Sequence, residues 1–287
     1  MYSRMIPDIP VGSKVLVGLG DSFTQGVGSW PKEIWDKYHG KIDTLKIPTE
    51  IHDQMYEYSW VKQLCTNHMP DHIPVNLGCL GTGNRAAVKA LYLNPKIKLS
   101  NAKEVTVVLM LSGMERFDFI NNTFPDHHHF FTMWPNPWDK NTTNKKLWEC
   151  YAEDIWSEKF SCVETLLNIR DAEIFCKAQG WRFVVASAFD VRVTRDHFLT
   201  SMGTIHEELI DTIPWDQFIY PRGYRTFMEL LTRLEGLDEQ AAVGGFYEYC
   251  QKLAGPTDYM TPCAHPSQNG YRIMAEEIHN FLVAKIS

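Results

Sequence analysis

Short apolar runs rich in β-branched residues recur along this chain at Val15–Leu19, Val75–Leu77, Val105–Leu111 and Arg182–Ser187, and segments with helical spacing lie between them. That alternation is the tightest constraint on the fold, because strands buried on both faces read as near-continuous apolar runs and need helices to cover them. It predicts a parallel sheet covered by helices. A weaker fifth strand falls at Gln217–Tyr220. Trp156, Phe160, Val163, Leu167, Ile174 and Ala178 mostly follow three- and four-residue steps, which predicts a long helix over Asp154–Gln179 that Gly180 stops. Ser267 stands where it caps a final helix with the apolar face Tyr271, Met274, Ile278 and Phe281, and Tyr224–Leu234 reads as another helix.

Two segments exceed a minimal strand and helix alternation, so residues 1–287 read as one elaborated domain with insertions at about 117–153 and 190–262. From Phe117 to Trp156 there are ten aromatics, against 13% in the whole chain, interrupted by Pro125, Pro135 and Pro137. The expectation is a long irregular insertion of the kind that forms lids or binding loops. A composition of 44% hydrophobic and 22% charged residues excludes intrinsic disorder. The net charge of −7, with no Lys/Arg block, argues against a general nucleic-acid binder. Apolar runs fall far short of the roughly 20 residues a membrane-spanning helix needs, and the Pro-interrupted N-terminus lacks a signal peptide's apolar centre. No membrane span and a cytoplasmic location are expected. The 7 cysteines are odd in number and contain no CxxC pair, so they read as reduced thiols rather than a disulfide framework or zinc knuckle.

Three segments carry candidate chemistry. Gly18-Leu19-Gly20-Asp21-Ser22-Phe23-Thr24-Gln25-Gly26 lies where the first strand ends, so Ser22 can project its hydroxyl at the carboxyl edge of the sheet and turn its own N–H toward a developing oxyanion. A glycine-rich turn without chemistry is the plainer alternative. Val75-Asn76-Leu77-Gly78-Cys79-Leu80-Gly81-Thr82-Gly83-Asn84 follows the second strand, and Gly81 can offer an unobstructed N–H. A simple turn accounts for that segment as well. His265-Pro266-Ser267-Gln268-Asn269-Gly270-Tyr271 places a histidine on a defined loop just ahead of a helix cap, though taken alone it is one of 11 histidines and a surface role would suffice.

In this order and spacing the three segments resemble the SGNH, or GDSL-type, hydrolase superfamily. The resemblance implies a three-layer α/β/α flavodoxin-like sandwich with a central parallel sheet of about five strands. It also implies Ser22 as nucleophile, Gly81 as a backbone oxyanion donor beside the N–H of Ser22, and His265 as base. The third block, Gly-x-Asn-Asp in the family, reads Ser112-Gly113-Met114-Glu115-Arg116 here, so Met114 stands in place of the asparagine that donates to the oxyanion. Losing one such donor costs about 100- to 1000-fold in rate. Asn84 and Arg116 are the nearby substitutes, with an ion pair to Glu115 or Asp118 as the alternative for Arg116. The shortened block also resembles virus-encoded members, which adds a virion-associated location to the cytoplasmic one.

The family's acid lies three residues before the histidine, and here that residue is Pro262. Asp258 can orient His265 if the intervening loop folds back; otherwise a backbone carbonyl holds Nδ1–H and the machine is a Ser-His dyad. Asp21 beside the nucleophile is expected to bond nearby backbone. The run His127-His128-His129 reads as a solvated loop rather than a metal site, because adjacent side chains rarely converge on one ion. Trp134, Trp138 and Trp148 are candidates to stack on sugar rings, or else form a small satellite core.

The resemblance therefore implies a serine esterase that needs no metal or organic cofactor and acts on a small-molecule or carbohydrate ester; the aromatic insertion makes an O-acetylated polysaccharide the preferred substrate, with lipids and small esters still open and Arg116, Trp134 and Trp138 as candidate substrate contacts. A non-catalytic binding or structural module on the same scaffold, such as a virion component, is the rival from another class. A flavodoxin-like nucleotide binder is weaker, since Gly18 to Gly28 holds neither GxGxxG nor a P-loop lysine. Oligomeric state is left open.

Overall fold

The structure, a computed structural model, describes residues 7–38, 49–93, 99–121, 129–133, 135, 145–203, 206–237, 246–253 and 255–285. Among these described residues seven strands form in chain order: β1 (Lys14–Gly20), β2 (His72–Gly78), β3 (Glu104–Leu111), β4 (Phe117–Asn121), β5 (His129–Met133), β6 (Arg182–Ser187) and β7 (Phe218–Ile219). Five of them make a parallel sheet in the order β2-β1-β3-β6-β7, and β4 pairs with β5 as a separate antiparallel ribbon. Counting only the sheet strands, this is the 2-1-3-4-5 order of a doubly wound fold, whose switch point between β1 and β3 opens a crevice at the carboxyl edge.

Period-two alternation in the strands decides the layers. Val15, Val17 and Leu19 of β1, with Val105, Val107, Leu109 and Leu111 of β3, face a core shared with the helices Asn84–Leu93 and Glu158–Ala178. Leu16, Val108, Met110, Val184 and Ala186 face the opposite core, which Trp60–Asn67, Phe227–Leu234 and Gln268–Ala284 cover. Both faces are sealed, which is why the strand sequences show little polar alternation.

The expected strands appear within three residues of their sequence positions, and β6 has the bounds read from sequence. Ser267 caps the last helix by accepting the Gly270 N–H, and Tyr271, Met274 and Ile278 are buried as expected. The long helix is shorter than expected, Glu158–Ala178, and its buried face differs from the predicted stripe. Leu167 and Ile174 are 39% and 52% exposed, while Cys162, Leu166, Ile169, Ala172 and Cys176 are fully buried. Several of these inward residues are small, so a search for large apolar residues selected a different face of the helix. The 117–156 insertion is also more regular than expected. Besides the β4 and β5 ribbon it contains helical turns at Lys145–Glu149 and Cys150–Ile155, and Met133, Trp148 and Tyr151 form a small core with Phe117, Trp156 and Phe160. Among the described residues no helix is long and apolar enough to cross a membrane.

Candidate active site

Immediately after β1, Asp21 accepts the Phe23 N–H at 3.0 Å and caps the four-residue helix Ser22–Gln25. The cap turns the chain so that Ser22, only 4% exposed, stands at the carboxyl edge of the sheet. Its Oγ lies 2.7 Å from Nε2 of His265, a residue 243 positions later in the chain. The opposite ring nitrogen, Nδ1, lies 2.8 Å from the carbonyl oxygen of Cys263. A carbonyl only accepts, so Nδ1 carries the proton and donates. Nε2 is then the acceptor, and the Ser22 hydroxyl donates to it.

The His265 loop is stapled shut on itself. Met260 and Pro266 form a bridge, Thr261 N–H donates to the His265 carbonyl at 3.0 Å, and Ala264 N–H donates to Thr261 O at 3.0 Å. Closing so tight a loop holds Ala264 at φ 61°, a conformation that costs a residue with a Cβ about 1 to 2 kcal/mol. Ser267 Oγ donates to the Asp258 carbonyl, and Tyr271 Oη donates to Val27 O at 2.8 Å, which pins the loop to the chain just beyond Ser22. This closure corrects the expectation for Asp258. The loop does turn back, but the turn brings the main chain of Cys263 under the imidazole and leaves the Asp258 side chain exposed beyond the bridge.

The second glycine-rich segment is fastened to the first. Asn76 Nδ2 donates to Thr24 O at 2.7 Å, its Oδ1 accepts the Gly78 N–H at 2.9 Å, and Gln25 Oε1 accepts the Leu80 N–H at 2.8 Å. The backbones approach so closely that a Cβ on Gly78 would stand 2.2 Å from Gln25 N, so only glycine fits there. Among the described residues neither the Ser22 N–H nor the Gly81 N–H finds an acceptor. Asn84, 4% exposed, opens the helix Asn84–Leu93, and its Oδ1 accepts the Ser112 N–H at 2.8 Å. That contact sets the amide's orientation, and its Nδ2 has no acceptor among the described residues.

Met114, which stands where the resembled superfamily has an asparagine, buries its side chain in the core while its N–H donates to Asp190 Oδ2 at 2.9 Å. Arg116 makes an ion pair that the sequence alternative, Glu115 or Asp118, did not include. Its Nη1 lies 2.8 Å from Asp21 Oδ2, Glu115 pairs with Arg192, and Asp118 caps the helix Asn84–Leu93 through the N–H groups of Gly83 and Ala86. Proximity in sequence gave no sign of Asp21, which the pairing of β1 with β3 brings beside Arg116.

Burial pulls the His265 imidazole down to about 4, the Cys263 carbonyl opposes that pull, and the positive charge of Arg116 adds to it. The imidazole is therefore neutral near pH 7. Burial also raises the Asp21 carboxyl, with the Arg116 charge opposing, and pushes the Cys263 thiol up to about 11. Phe23 and Phe189 complete the surroundings: Phe23 lies 5.0 Å from the His265 ring and 5.4 Å from Phe189. Phe189 follows β6 without any motif to single it out, and only the strand order reveals it. Among the described residues no group of three or more His, Cys, Asp or Glu could hold a metal ion. Trp134 and Trp138 lie outside the described residues, as do His127 and His128. Trp148 packs in the small core of the insertion.

No protein-family model and no curated protein sequence matches the chain. Similar solved structures include the acetyl xylan esterase Est2A from the rumen bacterium Butyrivibrio proteoclasticus, 13% identical over 98% of this chain with a TM-score of 0.44. They also include a carbohydrate esterase whose active site displays divergent catalytic and non-catalytic binding functions, 12% identical over 97% of this chain with a TM-score of 0.46. A third is a variant of the acetylxylan esterase Axe2 from Geobacillus stearothermophilus, 13% identical over 96% of both chains with a TM-score of 0.40. This chain spans 66% and 67% of the length of the first two. At such identities no residue's role transfers, so the chemistry is argued from the geometry of this site alone.

Proposed function

We propose that this chain is a serine esterase that works through a Ser22-His265 dyad. The carrying observation is the 2.7 Å contact between Ser22 Oγ and His265 Nε2, in a ring whose tautomer the Cys263 carbonyl fixes. Ser22 attacks the ester carbonyl while its proton passes to Nε2. The N–H groups of Ser22 and Gly81 and the Asn84 amide receive the charge that forms on the carbonyl oxygen. His265 then protonates the leaving alcohol, and water, deprotonated by the same nitrogen, releases the acid from Ser22. Every step uses groups of this chain and returns the dyad to its starting state.

Incubation with a fluorophosphonate, followed by peptide mass spectrometry, tests the reading directly. An adduct on Ser22, absent in His265→Ala, supports it; an unmodified Ser22 under conditions that label a control serine hydrolase overturns it.

For the substrate we propose an O-acylated carbohydrate. The support is that the aromatic-rich insertion leaves the carboxyl end of β3, the edge that carries Ser22. Trp134→Ala and Trp138→Ala should raise KM for an acetylated polymer and leave p-nitrophenyl acetate turnover unchanged. Equal losses on both substrates, with a lower Tm, would assign these rings to packing. A binding or structural module remains a second reading, favoured by the buried Met114 where the family has a donor. Activity with p-nitrophenyl acetate that disappears in Ser22→Ala excludes it.

A further inference from the structure

One guanidinium nitrogen joins the two backbone segments that carry the unpaired N–H groups of this site. Arg116 Nη1 lies 2.8 Å from Asp21 Oδ2 and 3.2 Å from the carbonyl oxygen of Thr82. Asp21 immediately precedes Ser22, and Thr82 immediately follows Gly81. The same atom thus holds the residue before one donor and the residue after the other. Asp21 is fully buried and its second carboxylate oxygen caps the Ser22–Gln25 helix, so the pull of the guanidinium reaches the first helical turn through rigid contacts.

Arg116 is itself held in place. Its N–H donates to Gly113 O at 3.2 Å, its guanidinium carbon lies 5.3 Å from the centre of the Phe189 ring, and a Cβ on Gly83 would come within 3.0 Å of its own Cβ. It stands two residues beyond Met114. The turn that fails to deliver a side-chain donor therefore delivers a clasp.

Resting on the esterase reading above, we propose that Arg116 is a positioning residue for the oxyanion site, fixing the separation and direction of the Ser22 and Gly81 N–H groups. Donors on separate loops stabilise an oxyanion only if both already point at the place where its charge develops, at about 2.7 to 3.1 Å from it. Two loops that drift independently lose that arrangement, and a bridge between them restores it. Tight positioning of the two backbone donors, beside the Asn84 amide, offsets the absence of a side-chain donor at Met114.

Replacing Arg116 alone would leave Asp21 buried and unpaired, which is strongly destabilising whatever the arginine does. The informative variant is the double Asp21→Asn/Arg116→Met, which removes both charges and keeps an oxygen to accept the Phe23 N–H. With p-nitrophenyl acetate its kcat should fall about 100-fold, with KM within about twofold, and fluorophosphonate labelling should slow in parallel. Deuterium exchange at the Phe23 and Cys79 amides, whose hydrogen bonds lie in the two clasped segments, should accelerate. Wild-type kcat with unchanged exchange overturns the proposal. Should the wild-type chain neither turn over esters nor label at Ser22, the esterase reading falls by itself, and exchange still decides the clasp: acceleration supports it and unchanged rates overturn it.

Discussion

The carbonyl oxygen of Cys263 lies 2.8 Å from Nδ1 of His265, in the place where a carboxylate would complete a triad. A neutral acceptor fixes the tautomer as well as a carboxylate does, but it stabilises an imidazolium less. Asp258 is exposed and contributes its main-chain carbonyl, not its carboxylate, to the loop. Asp258→Asn should therefore leave kcat/KM for p-nitrophenyl acetate within about twofold of wild type. A loss of about 10⁴-fold, the size seen when a true triad acid becomes an amide, would show that the carboxylate reaches the ring during turnover.

The places of the candidate residues were legible in the sequence, while the roles proposed for them came from the family resemblance, and the reasons differ by residue. Ser22, Gly81 and His265 sit where glycine, proline and cap chemistry mark strand ends and a helix start, features governed by local backbone sterics. The dyad's partner atom could not be read in the same way, because a backbone carbonyl has no signature and any residue could have supplied it. Arg116 illustrates the opposite difficulty: its charge suggested nearby carboxylates, yet Asp21, 2.8 Å from its Nη1, is 95 residues away and comes into reach because β1 and β3 are neighbours in the sheet. The ribbon of β4 and β5 was hidden by the prolines and histidines around it, although Phe117-Asp118-Phe119 already alternates.

Depression of His265 to about 4 has a consequence for pH dependence. If His265 is the base of the proposed esterase, it works when neutral, so kcat/KM should rise with pH through about 4 and stay level from about 5.5 to 7, rather than rising near the ordinary histidine value of about 6.5. Stability follows the same group. In the unfolded chain His265 takes up a proton below about 6.5, whereas in the folded chain it does so only near 4, so its contribution is fully present above about 6.5 and is lost as pH falls toward 4. The difference amounts to about 3 kcal/mol at most. Denaturant unfolding of wild type and His265→Asn from pH 7 to 4 measures it: the wild type should lose more stability over that range, and parallel curves would refute the depressed value.

Packing around the histidine loop gives a steric prediction. A Cβ on Gly28, at φ +90°, would stand 2.9 Å from His265 Cβ and 3.0 Å from both Pro266 O and Thr261 Oγ1. Gly28→Ala must therefore push the loop as well as bear the strain of a positive φ. Gly12, at φ +84° with nothing within 4 Å, isolates the strain alone. Gly12→Ala should cost about 1 to 2 kcal/mol and keep the wild-type rate, while Gly28→Ala should lower Tm further and reduce kcat at least tenfold. Equal rates in the two variants would mean that the loop yields without moving His265 away from Ser22.

The Asn84 amide allows its two atoms to be tested apart. Its oxygen is committed to the fold through the Ser112 N–H at 2.8 Å, and its nitrogen is the atom assigned to the oxyanion. Asn84→Asp keeps an acceptor for Ser112 in nearly the same shape but replaces the donor with an oxygen that repels negative charge. Asn84→Ala removes both atoms and leaves the Ser112 N–H unpaired, a loss of about 1 to 3 kcal/mol. If the nitrogen serves the transition state, kcat should fall about 100-fold or more in both variants with KM nearly unchanged, while Tm falls mainly in the alanine. Because the aspartate separates stability from rate, its kcat decides: a wild-type value would confine Asn84 to holding the turn after β3 and leave Ser22 and Gly81 as the oxyanion donors.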